Sequence, residues 1–292
     1  MSDNALKIGV DVGATLAKIA LAGPGEEESK FELLPSASLE SVAAHVTALD
    51  PALVGLTGGG AARLAPMLAC PTRSTGEFDA WGAGALLLLP QAEDRPPEGE
   101  SFLLVSLGTG TGIFHVKASQ TTRVGGTGIG GGAVVGLGGA LTGAAFAQLC
   151  VLAQQGDAAG VDLRISDIYG KGELPLAGDL TAANFGKLAR TAGNGSGPSE
   201  PDERDRADRA AGVMRLVGET VALICAGLSA ATDAKHVVYG GSTLRGNPCL
   251  VDVLTEITTL CGLQSCLLPH GGFAGALGAL ELARSGVGRE NK

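Results

Sequence analysis

Short apolar runs followed by turns of glycine and threonine recur along this chain. The run Lys7–Val12 leads into the turn Gly13–Thr15 and then into a second apolar run, Leu16–Leu21. The same order returns later, where the run Ser101–Leu107 leads into the turn Gly108–Gly112 and another apolar run. Each unit is typical of a strand, a tight turn and a second strand. Two such units in one chain predict a duplicated α/β architecture.

Helices are predicted from capping residues and from apolar spacing. Ser38 is a candidate N-cap, and Glu40 lies in the first turn of a helix that ends near Leu49. A long helix from about Asp202 to Ala231 has apolar residues at helical spacing, which puts one face in the core: Ala210, Met214, Val217, Val221, Ile224 and Leu228. The other predicted elements are strands over Pro51–Thr57 and Lys235–Tyr239 and helices over Phe78–Leu89 and Gly271–Glu281.

A charged, proline-containing stretch, Gln91–Glu100, is the predicted loop between two halves of the chain. We therefore expect an N-terminal domain over residues 1–100 and a C-terminal domain over residues 101–292. A second polar loop, Gly193–Asp205, leads into the long helix.

The charge balance narrows the range of partners. Lysine and arginine number 21, aspartate and glutamate number 30, and the formal net charge is −9. A chain this acidic lacks the basic face that nucleic acid requires, so we expect no nucleic-acid partner. An anionic ligand must instead be attracted by local groups at short range.

One uncharged stretch, Val124–Gly156, raises the question of a membrane span. Ten of its first twenty residues are glycine, which disfavours a helix there. We interpret the stretch as a neutral glycine-rich loop that runs into a helix. Because the N-terminus also lacks the pattern of a secretory signal, we expect a cytoplasmic protein that has no membrane partner.

The cysteines and histidines form no recognisable metal or nucleophile pattern. The six cysteines are scattered and include no Cys-x-x-Cys pair, so we expect reduced, mostly buried thiols. None of the four histidines lies beside a serine or cysteine nucleophile motif, and we interpret them as structural.

The two glycine–threonine turns are the best candidates for a phosphate site. Backbone N–H groups of such a turn can face one anion, and the hydroxyls add further donors. Lys18 can add a positive charge, and Asp11 can hold a magnesium ion through water. Structural alternatives stay open, because Asp11 also suits a turn and Thr109 and Thr111 also suit a strand edge.

Two other phosphate motifs are not supported. The sequence contains no GxxxxGK[ST]. Gly126–Gly131 matches GxGxxG, but a segment this rich in glycine produces such a match by chance. The match also follows an Arg-Val-Gly segment that we predict as a loop, which argues against a dinucleotide site.

Glu77 and Arg123 each have a catalytic and a structural interpretation. Glu77 directly precedes a predicted helix, where an acid also stabilises the helix dipole. Arg123 is the last charge before the uncharged stretch, and it suits an anion clamp as well as an ordinary hairpin. Sequence spacing alone leaves both alternatives open.

Several motifs taken together resemble type II pantothenate kinases, a family with eukaryotic and some bacterial members. They follow the family's order over about residues 7–283: DVGATLAK (Asp11–Lys18), TGGG (Thr57–Gly60), GEFDA (Gly76–Ala80), GTGTG (Gly108–Gly112), RVGGTGIGGG (Arg123–Gly132), GDLTAANFGKL (Gly178–Leu188), YGGSTLRGN (Tyr239–Asn247) and GGFAGALGAL (Gly271–Leu280). The arginine motif and GDLTAANFGKL are specific to this family. The hairpin motifs alone indicate only the wider fold of actin, sugar kinases and heat-shock chaperone ATPases.

This resemblance implies an α/β fold of two related actin-like, ribonuclease H-like domains with a nucleotide cleft between them. It implies phosphorylation of pantothenate by ATP and Mg²⁺ to 4'-phosphopantothenate, the first step of coenzyme A synthesis. By motif position, Glu77 is the expected general base, Arg123 contacts substrate and phosphate, and Asp11 is the expected metal-associated residue. The expected nucleotide-contacting residues are Asp11, Val12, Gly13, Ala14, Thr15, Leu16, Ala17, Lys18, Thr109, Gly131, Gly132, Ala133, Val134, Val135, Phe146 and Ser242.

One position departs from the family pattern, because Ala14 stands where the first loop usually has a glycine. The added methyl group is small, and we expect activity to survive. The resemblance also implies a homodimer, with the helix near Asp202–Ala231 as a candidate dimer element.

Three alternatives remain at this point. A sugar kinase has the same fold, although the Cys-rich zinc motif and the Glu-x-Gly-His signature of repressor-related sugar kinases are absent. An activator ATPase of radical dehydratases needs cysteines for a shared iron–sulfur cluster. A nucleotide-binding pseudokinase is disfavoured by the presence of both Glu77 and Arg123.

Overall fold

The architecture is built on two β-sheets, seen in a computed structural model that describes residues 5–23, 29–169, 180–192 and 202–291. Within these residues the first sheet has six strands: β1 (Lys7–Val12), β2 (Leu16–Ala22), β3 (Lys30–Pro35), β4 (Leu53–Thr57), β5 (Thr72–Ser74) and β13 (Arg289–Asn291). Their order across the sheet is β13-β5-β4-β1-β2-β3.

The second sheet, counted over the described ranges, has five strands: β6 (Phe102–Leu107), β7 (Thr111–Lys117), β8 (Gln120–Thr127), β11 (His236–Gly240) and β12 (Gln264–Leu267). Their order is β12-β11-β6-β7-β8. A separate short ribbon pairs β9 (Leu163–Arg164) with β10 (Thr181–Ala183).

Helices pack on the sheets and connect them. They are α1 (Leu39–Ala48), α2 (Ala61–Leu64), α3 (Glu77–Leu88), α4 (Gly131–Thr142), α5 (Phe146–Gln155), α6 (Ile165–Ile168), α7 (Gly186–Ala192), α8 (Glu203–Thr232), α9 (Pro248–Leu260) and α10 (Ala274–Arg284).

The two sheets share one topology, which confirms the predicted duplication and the α/β fold class. β1 pairs antiparallel with β2 and parallel with β4. In the second sheet β6 pairs antiparallel with β7 and parallel with β11. Each sheet therefore has a central hairpin, and each hairpin has a glycine–threonine turn at its tip.

The predicted helices at Ser38 and Asp202 form, and Ser38 is the N-cap of its helix as predicted. The Ser38 hydroxyl accepts a hydrogen bond from the Ser41 N–H, and the Asp202 side chain accepts one from the Asp205 N–H. Along α8 the predicted core positions Ala210, Met214, Val217 and Val221 are fully buried, and Ile224 and Leu228 pack partly buried against the same core. By length and composition α8 is able to span a membrane, but 61% of its most apolar window is buried inside the protein. Its apolar face is thereby accounted for by the core.

The end of the chain packs against the beginning. β13 pairs with β5, and α10 packs on β1, β4 and α3. This approach requires glycine in the strands, because a Cβ atom on Gly9 would lie 1.9 Å from the backbone oxygen of Ala276. The division into residues 1–100 and 101–292 remains a prediction. These last two elements join the sheet of the N-terminal half.

The glycine-rich stretch after Arg123 is not a loop, and that prediction was wrong. Residues up to Thr127 continue β8, and Gly131–Thr142 form helix α4. Low helix propensity is overcome by packing, since the absence of a side chain lets neighbours approach closely. A Cβ atom on Gly138 would lie 2.7 Å from a methyl carbon of Leu149.

The cysteines match the prediction of mostly buried thiols only in part, because three of the six are buried. The six cysteines all lie in the described part of the chain and all are free. Cys150, Cys225 and Cys266 are buried, and Cys261 is exposed. Part of the predicted polar loop (residues 193–201) and the start of the GDLTAANFGKL motif (residues 178–179) lie outside the described residues.

Candidate active site

The two predicted phosphate turns meet at their tips. The hydroxyl oxygens of Thr15 and Thr109 lie 3.0 Å apart and share a hydrogen bond, although 94 residues separate them in the chain. Between the turns lies a cavity of about 420 Å³. The duplicated hairpins therefore form one site, as the sequence predicted.

Many of the predicted residues line this cavity, and others do not. Lining residues from the predicted set are Asp11, Gly13, Ala14, Thr15, Leu16, Lys18, Glu77, Thr109, Arg123 and Ser242. The remaining predicted residues are not part of the cavity wall: Val12, Ala17, Gly131, Gly132, Ala133, Val134, Val135 and Phe146.

Most of these remaining residues lie in a hydrophobic core or pack against one. Val12 and Ala17 are buried in the core of the first sheet, and Val134 is buried in the core of the second. Ala133 and Phe146 pack against that second core, whereas Val135 is exposed. Their contact with nucleotide remains a prediction.

Asp11 and Lys18 form an ion pair at the base of the cavity. Lys18 Nζ lies 3.4 Å from Asp11 Oδ2, and the two side chains are 10% and 5% exposed. They stand opposite each other on β1 and β2, which fixes their approach. A lysine held in this way is a preformed positive charge for a phosphate oxygen.

Two glycines confine the Asp11 carboxylate. A Cβ atom on Gly58 would lie 2.5 Å from Oδ1, and one on Gly275 would lie 2.8 Å from Oδ2. Gly58 also has a φ of +85°, a conformation that favours glycine. The same Cβ on Gly275 would lie 3.0 Å from Nε1 of Trp81, a buried residue of the cavity wall. Neither Gly275 nor Trp81 was predicted from the sequence as a site residue.

Glu77 is the first residue of α3, and its side chain reaches the cavity. Burial raises the pKa of the Glu77 carboxyl, and the negative charge of Asp11 raises it further. Lys18 and Arg123 act in the opposite direction. These four side chains thus form one electrostatic unit, and Glu77 is a better proton acceptor than an ordinary glutamate.

Arg123 reaches the same cavity from β8. The pairing of β7 with β8 is irregular here, because Ile113 pairs with Gly125 while Phe114 pairs with Arg123. Such a bulge redirects a side chain, and bulges are common next to active sites. The Arg123 guanidinium passes over Gly126, where a Cβ atom would lie 2.9 Å from Nη2. Within the described residues Arg123 makes no ion pair.

The second turn is held in place by backbone contacts. The Gly131 N–H donates to the Gly108 carbonyl, and the Gly132 N–H donates to the Thr109 carbonyl, both at 2.8 Å. These donors belong to the first residues of α4, so the positive end of this helix dipole faces the turn. Gly131 and Gly132 therefore hold the second turn in place through these two hydrogen bonds.

A second cavity of about 260 Å³ adjoins the first, because Gly241 and Ser242 line both. Apolar side chains and glycine backbone dominate its walls, and His270 and Phe273 belong to them. Sequence analysis named Ser242 but not these two. The glycine pairs Gly240–Gly241 and Gly271–Gly272 were the available signal, since the second pair lies between His270 and Phe273 and the two backbones pass closely.

Metal ligands are few in the parts of the chain that the structure describes. No group of three or more His, Cys, Asp or Glu side chains is arranged to hold a metal ion there. Two carboxylates, Asp11 and Glu77, line the cavity, and Asp11 lies on the strand that leads into the first turn. This donor set fits Mg²⁺, which keeps water ligands and binds through one or two carboxylates together with substrate phosphates.

The chain has an actin-like ATPase fold, as two solved structures of similar fold show. The activator of 2-hydroxyisocaproyl-CoA dehydratase from Clostridium difficile, solved with bound ADPNP, has a TM-score of 0.62, is 14% identical and covers 98% of this chain and 100% of that chain. A ROK family glucokinase from Streptomyces griseus, solved with glucose and AMPPNP, has a TM-score of 0.56 at 16% identity over 96% of this chain and 99% of that chain. At these identities the likeness concerns the fold.

Sequence comparison assigns the family. The family model described as Fumble matches residues 37–281. The type II pantothenate kinase of Staphylococcus saprophyticus subsp. saprophyticus is 36% identical over 279 residues, which cover 95% of this chain and 100% of that protein. The chain belongs to the Fumble family of type II pantothenate kinases.

Proposed function

We propose that this protein transfers the γ-phosphoryl group of ATP to the primary hydroxyl of pantothenate, giving ADP and 4'-phosphopantothenate. This is the first step of coenzyme A synthesis. The observation that carries the proposal is the convergence of Glu77, Arg123 and both phosphate-type turns on one cavity, in a chain of this family.

ATP binds across the two adjoining cavities in this proposal. The triphosphate lies between the turns, where Thr15, Thr109 and Lys18 supply donors. The nucleobase of ATP occupies the smaller apolar cavity. Ser242 lines both cavities and so connects the nucleobase site to the triphosphate site. An apolar pocket with a few polar groups is typical of a nucleoside site.

Mg²⁺ is the proposed metal, and Asp11 is the residue that would hold it through water. When bound, the ion neutralises charge on the phosphate oxygens. Lys18 limits how far the Asp11 carboxylate can move, because the two side chains form a buried pair.

Glu77 acts as the general base. The acceptor oxygen forms a bond to the γ-phosphorus while the bond from that phosphorus to the β,γ-bridging oxygen breaks, and ADP leaves with that oxygen. Glu77 accepts the proton of the acceptor hydroxyl, and general-base assistance of this kind is worth about 10²–10⁴ in rate. Arg123 offsets the negative charge of the moving phosphoryl group.

A homodimer in the cytoplasm completes the proposal, with no nucleic-acid or membrane partner. Leu223, Gly227 and Ala230 recur at helical spacing on α8 and are exposed, which supports this helix as the dimer element. Sedimentation equilibrium of the purified chain tests the dimer directly.

The experiment that tests the function is a coupled assay of ADP release. Purified protein is incubated with ATP and Mg²⁺ and with pantothenate, glucose or N-acetylglucosamine as acceptor. Pantothenate alone should support turnover. Turnover with a sugar and not with pantothenate would establish the sugar kinase alternative, and binding of ATP without turnover on any acceptor would establish a pseudokinase.

A further inference from the structure

Two phenylalanines stand out in the wall of the cavity. Phe78 follows Glu77 directly in the first turn of α3, and it is 42% exposed although it is large and apolar. Its ring lies 5.3 Å from the ring of Phe114 on β7, and both side chains line the cavity. Phe114 itself is only 2% exposed, so its ring is fixed by packing and supports the more exposed ring of Phe78.

The position of this pair relative to the reacting groups follows from the strand register. Phe114 pairs with Arg123 across β7 and β8, and directly paired residues place their side chains on one face of a sheet. The Phe78–Phe114 pair therefore adjoins both proposed reacting groups. Glu77, the proposed general base, precedes Phe78 in the chain, and Arg123, the proposed phosphate-contacting residue, is paired with Phe114.

We infer that Phe78 and Phe114 form an apolar wall that selects an acceptor whose hydroxymethyl group is attached to a dimethyl-substituted carbon. The inference rests on the proposed function. In pantothenate that quaternary carbon is two bonds from the reacting oxygen, so its methyl groups must lie next to whatever surrounds Glu77. In a hexose phosphorylated at its hydroxymethyl group, the ring oxygen takes the place of one methyl carbon, three bonds from the reacting oxygen, and the nearest hydroxyl group lies one bond further. These polar groups lose water against phenyl rings without gaining a hydrogen bond.

The test compares two acceptors that differ only in those methyl groups. One is pantothenate and the other is N-(2,4-dihydroxybutanoyl)-β-alanine, which keeps the hydroxyls, the amide and the carboxylate. The quantity measured is the preference, defined as the ratio of kcat/KM for pantothenate to kcat/KM for the analogue. Since one missing methyl or methylene group in an apolar pocket costs about 10–200-fold, the wild type should show a preference of at least about tenfold.

Variants at Phe78 then assign the preference to the wall. Phe78→Ala and Phe78→Gln should each reduce the preference by about tenfold, through loss of activity on pantothenate and not on the analogue. Phe78→Leu, which stays apolar, should keep most of it. Leu86→Ala is the matched control, because Leu86 is exposed on the same helix and does not line the cavity. It should behave as the wild type.

The outcomes separate the inference from the proposed function. A wild type that phosphorylates both acceptors equally well, or Phe78 variants that keep the wild-type preference, would overturn the wall and leave the kinase assignment intact. A wild type that phosphorylates neither acceptor would overturn the proposed function and the wall with it. Thermal unfolding of each variant is measured in parallel, and Phe78→Gln replaces Phe78→Ala if the smaller residue impairs folding.

Discussion

Gly275 offers a sharp test of how the cavity is built, because it lies on α10, far in sequence from Asp11 and Trp81, whose side chains it approaches. In Gly275→Ala the new Cβ atom would lie 2.8 Å from Asp11 Oδ2, 3.1 Å from Asp11 Cγ and 3.0 Å from Trp81 Nε1. Ordinary van der Waals contacts of a Cβ atom begin near 3.4 Å. The Asp11 carboxylate must therefore move by several tenths of an ångström, away from its position beside Lys18.

Stability and activity should respond differently to this change. Alanine in place of glycine within a helix gains about 1 kcal/mol, whereas overpacking of a buried site costs about 1–3 kcal/mol. The free energy of unfolding should thus change by no more than about 2 kcal/mol. Activity is more sensitive, because a displacement of about 1 Å at a reacting centre can cost about 10²-fold. We expect kcat/KM for ATP to fall between about 10-fold and 100-fold.

The assay measures ADP release at varied ATP and magnesium together with urea unfolding. Gly136→Ala is the matched control, since a Cβ atom at that helical glycine on α4 would meet nothing within 4 Å. It should keep wild-type kinetics and gain stability. If Gly275→Ala retains wild-type kcat/KM while it folds normally, the position of the Asp11 carboxylate does not limit the reaction and the reasoning fails.

Three further predictions concern the reacting groups. Glu77→Gln keeps the shape of the side chain but removes the base, so kcat should fall about 10²–10⁴-fold while ATP affinity measured by calorimetry stays nearly unchanged; turnover close to wild type would refute the role of Glu77. Arg123→Ala should raise KM for pantothenate and lower kcat without loss of thermal stability, and unchanged kinetics would leave Arg123 as a hairpin residue. Because the pKa of Glu77 is raised and the base acts only when deprotonated, kcat/KM should fall as pH decreases through a value above that of an ordinary glutamate. The pH profile of Glu77→Gln should lack this fall in kcat/KM at low pH. If the fall persists in that variant, it is caused by another group.

The hairpins and the capped helices were predictable because their determinants are local. The run Lys7–Val12 is a strand with those bounds, and Ser38 caps α1 as its residue type indicates. Helix α4 was missed for a related reason. Its glycines oppose a helix locally, and packing stabilises it. Gly138 faces Leu149, the Gly132 N–H donates to the Thr109 carbonyl, and Arg206 of α8 donates to the Thr142 carbonyl.

The residues of the candidate site also fall into two groups, those that could be predicted from local motifs and those that depend on contacts in the folded chain. The chemistry of Asp11, Lys18 and Glu77 was accessible from their motifs, and duplication predicted that the two turns belong together. The confinement of Asp11 by Gly58 and Gly275 was not accessible, because it depends on how β4 and α10 approach β1 in three dimensions. The same holds for the wall of Phe78 and Phe114, whose exposure and ring contact appear only in the folded chain.

The charges of the cavity explain how an acidic chain is suited to a highly negative substrate. The charged side chains that line it are Asp11, Lys18, Glu77 and Arg123, so acids and bases balance and the side chains attract ATP only weakly as a group. In the proposed function the attraction comes from directed donors, namely N–H groups of the turns and the threonine hydroxyls. Backbone donors reach a phosphate only where no Cβ atom stands in the way, as at Gly110 in the second turn. The high glycine content and the net negative charge are therefore compatible with one function, because recognition by backbone at close range needs space more than it needs charge.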